Sequence, residues 1–511
     1  MLNLFGGGKP DHPMADPKEA RRILEDLPAN DAFKSTEELT NWLESVGGAE
    51  GFKPEHRAQL LLLLDEAAQL HVRKLSRDYL GAVRPSKFQE NRLWTVVFAY
   101  WRQAAITLAT CIDLYATGAK GGDTLKNVMP LLAVRAMRAL AAQLKWQSFR
   151  YGPVDAARWG ILYKIYALAE ARKFATTKIQ VYPAVPGDSS PELELFKAVM
   201  FSASSPDSLL PLEIELMERL VAHYAPGFSL LGQPAGATYW CDLAGTVAPL
   251  RLIKPPPPSP ALRYFSTGKA ETEIAQLRQS ITSSGAVPSG VNLGGNYEAE
   301  LVLDALDHIA LYWSSTPPER KAPRHQVKSR LTVSHGFDGL MDALDDSSDL
   351  DFDLSNEESW IVQNVSTGGF GAMIPQVKGD WVKIGCLLGL QPEGGKNWVV
   401  GVVRRMNRDN AQQASVGIQT LAKSAAPIRL HMENGLSGGG EADAVGILLD
   451  PASLATSAEA LVVLHAGAWV PGQNLEAETG GVSLVLMPIG VAERGDDYEL
   501  VRFRQMIRDT E

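Results

Sequence analysis

Two short groups of polar residues carry the chemistry that this sequence offers for binding an anionic ligand. The first is Arg320-Lys-Ala-Pro-Arg324, in which two arginines stand four residues apart. Pro323 disfavours helix at the residue before it, so this stretch is expected to be extended or to form a turn. A guanidinium fork matches guanine O6 and N7 or two phosphate oxygens, and its flat face stacks on a purine. Lys328 and Arg330 keep the same region basic.

The second group lies further along the chain and combines a short amide, a hydroxyl and glycines. It reads Asn364-Val-Ser366-Thr-Gly368-Gly369. Asparagine offers both a donor and an acceptor to a base edge, and serine can bond a phosphate oxygen. Glycine lets a ligand come close to the backbone. The alternative interpretation is that the arginines form surface salt bridges and that the second group is only a hairpin turn.

Taken in order, the two groups resemble the PilZ domain family, the bacterial receptors for cyclic di-GMP. The family pattern is RxxxR followed by [D/N]xSxxG. Arg320-xxx-Arg324 matches its first part, and Asn364-x-Ser366-x-x-Gly369 matches its second.

The sequence after these groups is also similar to the family. The runs at 379–385, 399–405 and 415–419 resemble the apolar and closing strands of its barrel. The resemblance covers residues 317–424, and it implies a small antiparallel β-barrel over that part of the chain.

The resemblance further implies that cyclic di-GMP lies between the two groups. The arginines would grip its guanines and phosphates, while the second group would close the opposite side. The implied binding residues are Arg320, Arg324, Asn364, Ser366, Gly368 and Gly369. Neither a cofactor nor a metal ion is part of this expectation.

Hydrophobic periodicity indicates a helical domain over residues 1–225, because apolar residues recur there three and four positions apart. A helical bundle accounts for the many aromatic residues as core. A helical repeat with a peptide-binding groove is the alternative, although no second copy appears at a fixed period. The clearest predicted helices are 60–80, 92–115, 125–149 and 154–174.

Residues 226–316 are expected to hold a hairpin near 238–252, a proline-rich linker and two connecting helices at 269–280 and 297–313. The four prolines at 255–258 favour a stiff, extended spacer that joins the two halves of the chain. Alternatively, the proline run is a motif that is bound by a domain recognising proline-rich peptides.

From residue 317 short alternating runs separated by Gly, Asn and Pro predict β structure. Six of them, within 317–424, indicate the barrel. They are 327–333, 359–365, 371–374, 386–390, 398–406 and 415–420. Residues 425–511 predict a second small β domain, so the whole chain is expected to be a multidomain α + β protein.

The stretch 338–358 carries seven Asp and two Glu without any Lys or Arg. Such a block is usually solvated and flexible. The alternative hypothesis is autoinhibition, in which these acids cover Arg320 and Arg324 until an anionic ligand displaces them. Its length also separates the two binding groups more widely than expected.

Composition excludes several classes of protein. With 45% hydrophobic and 21% charged residues over 511 positions, the chain is globular rather than disordered. A net charge of −10 argues against a nucleic-acid polymer as partner. Three scattered cysteines indicate a reducing compartment and no zinc site. The Gly-x-Ser-x-Gly at 435–439 is followed by no helix, so it is not expected to be a hydrolase nucleophile.

The chain is expected to be cytoplasmic. Its first residues lack the apolar core of a secretory signal. The run from 94 to 116 is interrupted by Arg102 and Asp113, which disfavours a membrane span.

The predicted function is a non-catalytic cyclic di-GMP effector whose helical region contacts a protein partner. One rival is a PilZ-fold scaffold that binds no nucleotide. A second is an unrecognised enzyme in the helical half, where no catalytic pair is evident.

Overall fold

The computed structural model describes most of the chain, and its residues form two compact units. The described residues are 10–81, 86–316, 323–344, 357–379, 381–409, 413–432, 442–479 and 482–507. The first unit comprises Met1–Arg150, Val154–Pro206 and Pro211–Pro318, and the second comprises Glu319–Glu511 with Tyr151–Pro153 and Asp207–Leu210. The predicted fold class is confirmed: helices dominate the first unit, and two antiparallel barrels form the second.

Among the described residues of the first unit, six helices overlap the predicted runs, and four more lie elsewhere in the stretch 1–225 that periodicity indicates as helical. They are α1 (Pro17–Glu25), α2 (Ala32–Gly48), α3 (Pro54–Gly81), α4 (Lys87–Ala116), α5 (Met129–Ser148), α6 (Ala156–Ala171), α7 (Pro191–Ala203), α8 (Pro211–Tyr224), α9 (Ala270–Ser284) and α10 (Ala299–Trp313). Local capping sets several of their ends. Ser86 and Gln89 form a reciprocal capping box at the start of α4, and Gly285 ends α9 in the left-handed conformation.

A buried polar network joins α3, α4 and α5. The carboxylate of Asp65 accepts hydrogen bonds from Tyr100 Oη at 2.6 Å and Tyr182 Oη at 3.1 Å. It also pairs with Arg135 at 3.2 Å. Because burial disfavours the charged form, the pKa of Asp65 is raised despite this cation. The several partners of this carboxylate make the buried charge tolerable.

Short strands interrupt the helical region, which the sequence analysis expects to be entirely helical. The hairpin of β1 (Ile179–Tyr182) and β2 (Val185–Ser189) lies between α6 and α7. A second sheet, within 226–316 and in the order β3-β6-β4-β5, contains β3 (Ser229–Leu231), β4 (Tyr239–Asp242), β5 (Leu250–Arg251) and β6 (Leu262–Ser266). In it β4 pairs with β5, at the place of the hairpin predicted near 238–252. The other short strands carry too few positions for alternation to distinguish them from loops.

The proline run lies between β5 and β6. These two strands belong to the same sheet, so the run connects parts of one sheet. The sequence analysis expects instead a spacer between the two halves of the chain. Stiffness alone does not reveal which elements a proline segment joins.

The first barrel closes in the strand order β10-β11-β12-β9-β8-β7. Its strands are β7 (His325–His335), β8 (Glu358–Ser366), β9 (Gly369–Ile374), β10 (Leu387–Pro392), β11 (Val399–Arg408) and β12 (Ala414–Ala422). Each of them overlaps one of the six predicted runs. Alternate residues such as Leu331, Val333 and Trp360 point into its core.

A helix, α11 (Gly336–Leu344), follows β7 and contains the first residues of the acidic stretch. Phe337 and Leu340 are buried in a cluster that also holds residues from both barrels, including Val402 and Val463. The two acids of this helix, Asp338 and Asp342, are exposed, as expected of a solvated block, while its apolar residues are packed. Residues 345–356 lie outside the described residues, so the autoinhibition hypothesis stays a prediction.

The second barrel has the strand order β13-β14-β15-β18-β17-β16. Its strands are β13 (Ala425–Met432), β14 (Ala442–Leu449), β15 (Glu459–His465), β16 (Leu475–Thr479), β17 (Val482–Arg494) and β18 (Tyr498–Ile507). In the sequence, alternating runs at 444–449, 460–464, 482–487 and 498–504 predict β14, β15, β17 and β18, whereas β13 and β16 are missed. Within the described part of the chain, no helix has the length and apolar character needed to cross a bilayer.

Candidate ligand-binding site

The register of β7 and β8 brings the two sequence groups to the same end of the first barrel. His325 lies opposite Val365, and Gln326 lies opposite Asn364. Arg324 directly precedes His325, so its backbone is at the end of the strand pair where Ser366 lies. Antiparallel pairing thus brings together residues that are well separated along the chain.

Gly369 occupies a position where a side chain would clash with backbone. A β-carbon there would lie 2.0 Å from the carbonyl oxygen of Ile418, a backbone atom of β12. Next to it, Gly368 accepts a hydrogen bond from the Thr420 amide at 3.1 Å, and Ser366 Oγ donates to the Gly369 carbonyl at 3.4 Å. The turn between β8 and β9 is therefore held tightly against β12.

Asn364 lies over another glycine of the same hairpin. A β-carbon at Gly371 would come within 2.6 Å of the Asn364 Nδ2 atom. The half-buried Asn364 amide fits in this position because residue 371, on the neighbouring strand, has no side chain. Gly369 and Gly371 serve the internal packing of the barrel, whereas Gly368 is exposed with open space around it.

Only one of the two predicted arginines belongs to the described residues. Arg324 is exposed, and it forms no salt bridge with any residue in the described ranges. The alternative interpretation, in which Arg324 forms a surface salt bridge, therefore has no acidic partner among the described residues. Arg320 lies outside the described residues.

A cleft of about 610 Å³ opens beside the Ser366 end of β8. This volume is in the range of small-molecule sites, about 300–1,000 Å³. Of the predicted binding residues, Ser366 lines it, and Arg324, Asn364, Gly368 and Gly369 do not. The lining residues are Pro323, His325, Val365, Ser366, Thr367, Phe370, Pro392, Gly395, Lys396, Asn397, Val399, Thr420 and Lys423.

The lining includes residues that sequence reasoning missed. Lys396 and Asn397 come from the loop between β10 and β11, and Lys423 follows β12. Both lysines are exposed, and neither forms an ion pair with a described residue. The Gly394-Gly395 pair signals a turn before Lys396, but no local pattern predicts that this turn lies near β8.

This constellation can bind an anion with a flat ring system. Two ammonium groups supply positive charge, and Ser366, Thr367 and Asn397 supply hydrogen-bonding groups. The Phe370 ring and the imidazole of His325 offer faces against which a base can stack. Among the described residues, no group of three or more His, Cys, Asp or Glu could hold a metal ion.

Two family models match this chain. The middle PilZ domain of the cyclic-di-GMP receptor FimW matches residues 352–427. This part of the chain is a PilZ-type domain. The N-terminal domain of the same receptor matches residues 18–235. No curated protein is significantly similar to the chain.

The PilZ match contains one of the two binding groups. It includes Asn364, Ser366 and both glycines after them, and it begins after Arg320 and Arg324. The resemblance drawn from the sequence is thus confirmed for the PilZ barrel. The helical region, for which the sequence analysis named no family, is similar to the N-terminal domain of the same receptor.

Proposed function

We propose that this chain is a cyclic di-GMP receptor whose ligand binds in the cleft at the joined ends of β7 and β8. The observation that carries the proposal is the pairing of His325 with Val365. This pairing puts the segment after the predicted arginines beside the Asn-x-Ser-x-x-Gly group, next to a 610 Å³ cleft. Both family matches name a cyclic-di-GMP receptor, which supports the same ligand.

The proposed contacts follow from charge and shape. Cyclic di-GMP carries two phosphodiester anions and two guanines. Arg320 and Arg324 pair with guanine edges and phosphate oxygens, which arginine recognises in bidentate fashion. Asn364, Ser366, Gly368 and Gly369 close the opposite side, where Ser366 lines the cleft.

The receptor is proposed to act without catalysis, by changing the arrangement of its domains. These domains are 1–225, 226–316, 317–424 and 425–511. The helical region contacts a protein partner, and the segment around Arg320–Arg324 joins α10 to the barrel. A ligand shifts an equilibrium between two domain arrangements only if it binds one of them more tightly. We propose that the ligand gains this difference in affinity by clamping the segment.

Calorimetric titration of the full chain with cyclic di-GMP tests the ligand. We expect Arg320→Ala/Arg324→Ala to weaken binding at least about a hundredfold, because each arginine supplies charge-assisted hydrogen bonds. Arg77→Ala is the matched control, since it removes an exposed arginine of α3, which belongs to the first unit and not to the barrel. Equal affinities for wild type and the double variant would refute the proposal.

Small-angle scattering tests the coupling. The proposal expects the scattering curve of the full chain to change when cyclic di-GMP is added, and to stay unchanged in the Arg320→Ala/Arg324→Ala variant. If the wild-type curves with and without saturating ligand superpose, the proposed rearrangement is wrong. Ligand binding itself is tested separately by calorimetry.

A PilZ-fold scaffold that binds no nucleotide is the second candidate. The observation in its favour is that Gly369 and Gly371 are required by internal contacts, so this part of the motif persists in a barrel without ligand. The two candidates differ in partner binding: a scaffold keeps its partner when Arg320 and Arg324 are replaced, whereas a receptor loses the ligand-dependent component of that interaction.

A further inference from the structure

Lys423 lies where the wall of the cleft becomes the connection to the second barrel. It follows β12 directly, and β13 begins two residues later. Lys423 lines the cleft together with Thr420 and Lys396. Lys423 therefore belongs both to the ligand-binding surface and to the connection between the barrels, residues 423–424, which is called the joint below.

Asp450, a residue of the second barrel, holds this joint. Its Oδ1 atom accepts hydrogen bonds from the Lys423 amide at 3.2 Å and from the Ser424 amide at 3.3 Å. The Asp450 amide in turn donates to the Ser424 carbonyl at 2.9 Å. The backbone direction of Lys423 is therefore set by a carboxylate that follows β14.

Asp450 adopts a backbone conformation that side-chain-bearing residues seldom take. Its φ is +47°, in the left-handed region. Such conformations cost free energy and persist where the surrounding contacts hold them. At Asp450 those contacts include four hydrogen bonds with Lys423 and Ser424, one of them from the Ser424 hydroxyl at 3.4 Å, which ties this conformation to the joint.

A second connection reaches the same wall of the cleft. Gln419, next to Thr420, accepts a hydrogen bond from Arg404 Nε at 2.7 Å. The guanidinium of Arg404 forms a bidentate pair with Glu493 of the second barrel, at 2.7 and 2.5 Å. Glu493 also accepts from Tyr498 Oη at 2.8 Å. The end of β12 is thus attached to the second barrel on both sides of Thr420.

From this geometry we infer that the second barrel is part of the ligand-binding site: Lys423 binds a phosphate of the ligand, and Asp450 positions Lys423. The inference rests on the proposed function, because it assigns the source of one positive charge in that site. The ammonium of Lys423 has no ion-pair partner among the described residues. It is therefore available to a phosphate oxygen in the cleft.

Titration of full-length variants with cyclic di-GMP at low and at high salt tests the role of Lys423. Lys423→Met removes the charge and keeps the apolar stem. We expect it to weaken binding about ten- to a hundredfold at low salt, which is the effect of one charged hydrogen bond. The loss should shrink at high salt, because salt screens an exposed charge. Lys378→Met, an exposed lysine outside the cleft, should bind like wild type.

Asp450→Gly tests the positioning role. Glycine accepts the left-handed conformation, so this change removes the carboxylate while the backbone conformation stays accessible. We expect a loss of about three- to tenfold, and no further loss when Asp450→Gly is combined with Lys423→Met. This non-additivity is the sign that Asp450 acts through Lys423.

Asp497→Ala separates positioning from a general loosening of the two barrels. Asp497 accepts a hydrogen bond from the Phe337 amide at 2.8 Å, at another joint between the barrels. We expect this variant to bind the dinucleotide like wild type. Weakening equal to that of Asp450→Gly, or additive losses in the double variant, would overturn the positioning role.

The outcomes also separate this inference from the proposed function. If wild type binds and Lys423→Met binds equally well, the assignment of Lys423 is wrong and the receptor proposal stands. If wild type does not bind at either salt concentration, both are wrong.

Discussion

The side chain of Asn364 occupies the space above Gly371, so that a β-carbon at residue 371 would meet the Asn364 amide at 2.6 Å. The clash is with the end of a side chain, which can rotate away. A substitution at Gly371 therefore displaces the amide without forcing the backbone of the barrel apart.

Gly371→Ala is accordingly expected to reduce cyclic di-GMP affinity about tenfold, the effect of one lost hydrogen bond from Asn364. It should lower the free energy of unfolding by only about 1 kcal/mol. Calorimetric titration and thermal unfolding measure the two effects. Gly417→Ala is the control, because Gly417 pairs with Gly371 across the sheet and a β-carbon there has an ordinary 3.4 Å contact. Equal affinity in both variants would show that Asn364 does not contact the ligand.

The two adjacent glycines of the turn are expected to respond differently to alanine. Gly369→Ala sets a β-carbon against the Ile418 carbonyl oxygen, and backbone cannot move aside easily. We expect it to lower the free energy of unfolding by at least about 2 kcal/mol. Gly368→Ala meets open space and should change it by less than about 0.5 kcal/mol. Chemical denaturation of the full chain compares them, and similar stabilities would contradict the close packing of the turn on β12.

Glu194 in α7 is expected to make the helical unit sensitive to acid. Burial acts to raise its pKa, but Arg138 at 2.6 Å and Lys197 at 3.0 Å hold the pKa at about 2, below its ordinary value of 4.5. The ionised form is therefore favoured by folding. This contribution is complete above the ordinary pKa and is lost as the pH falls towards 2. It amounts to about 3 kcal/mol.

Scanning calorimetry over a series of pH values checks this expectation. Glu194→Gln should lower the stability of the helical unit near neutral pH and should approach the wild type near pH 2. Glu44→Gln, at an exposed position of α2, is the control and should follow the wild type throughout. A parallel pH dependence of wild type and Glu194→Gln would show that this carboxyl is not the titrating group.

The three cysteine thiols are expected to be unreactive in the folded protein. Burial raises the pKa of Cys111 to about 11 and the pKa values of Cys241 and Cys386 to about 12. Since the thiolate is the nucleophile, a thiol reagent at mildly alkaline pH should label the folded chain very slowly. In denaturant all three thiols should react. Rapid labelling of any one of them in the native protein would contradict its burial.

Strands such as β8 and β12 were predictable because they carry the alternation of a half-buried strand. Trp360 and Val362 point into the core while their neighbours do not. In β13 the alternation is also present, since Ile428 and Leu430 are buried, but Pro427 before them and Arg429 between them weaken the strand signal. In β16 small and acidic residues weaken the signal. Pairing with neighbouring strands outweighs these local preferences.

By itself, the sequence determined the local chemistry of the site: the hairpin turn at Thr367-Gly368, the strands on either side of it, and the two polar groups that indicate the family. Only the tertiary structure decided which other residues reach the cleft. Lys396 and Lys423 lie in separate connections, and Asp450 lies in another barrel. Their proximity follows from barrel closure and from the contacts at the joint. Such proximity depends on pairings between distant residues, whereas a turn or a strand depends on preferences of neighbours along the chain.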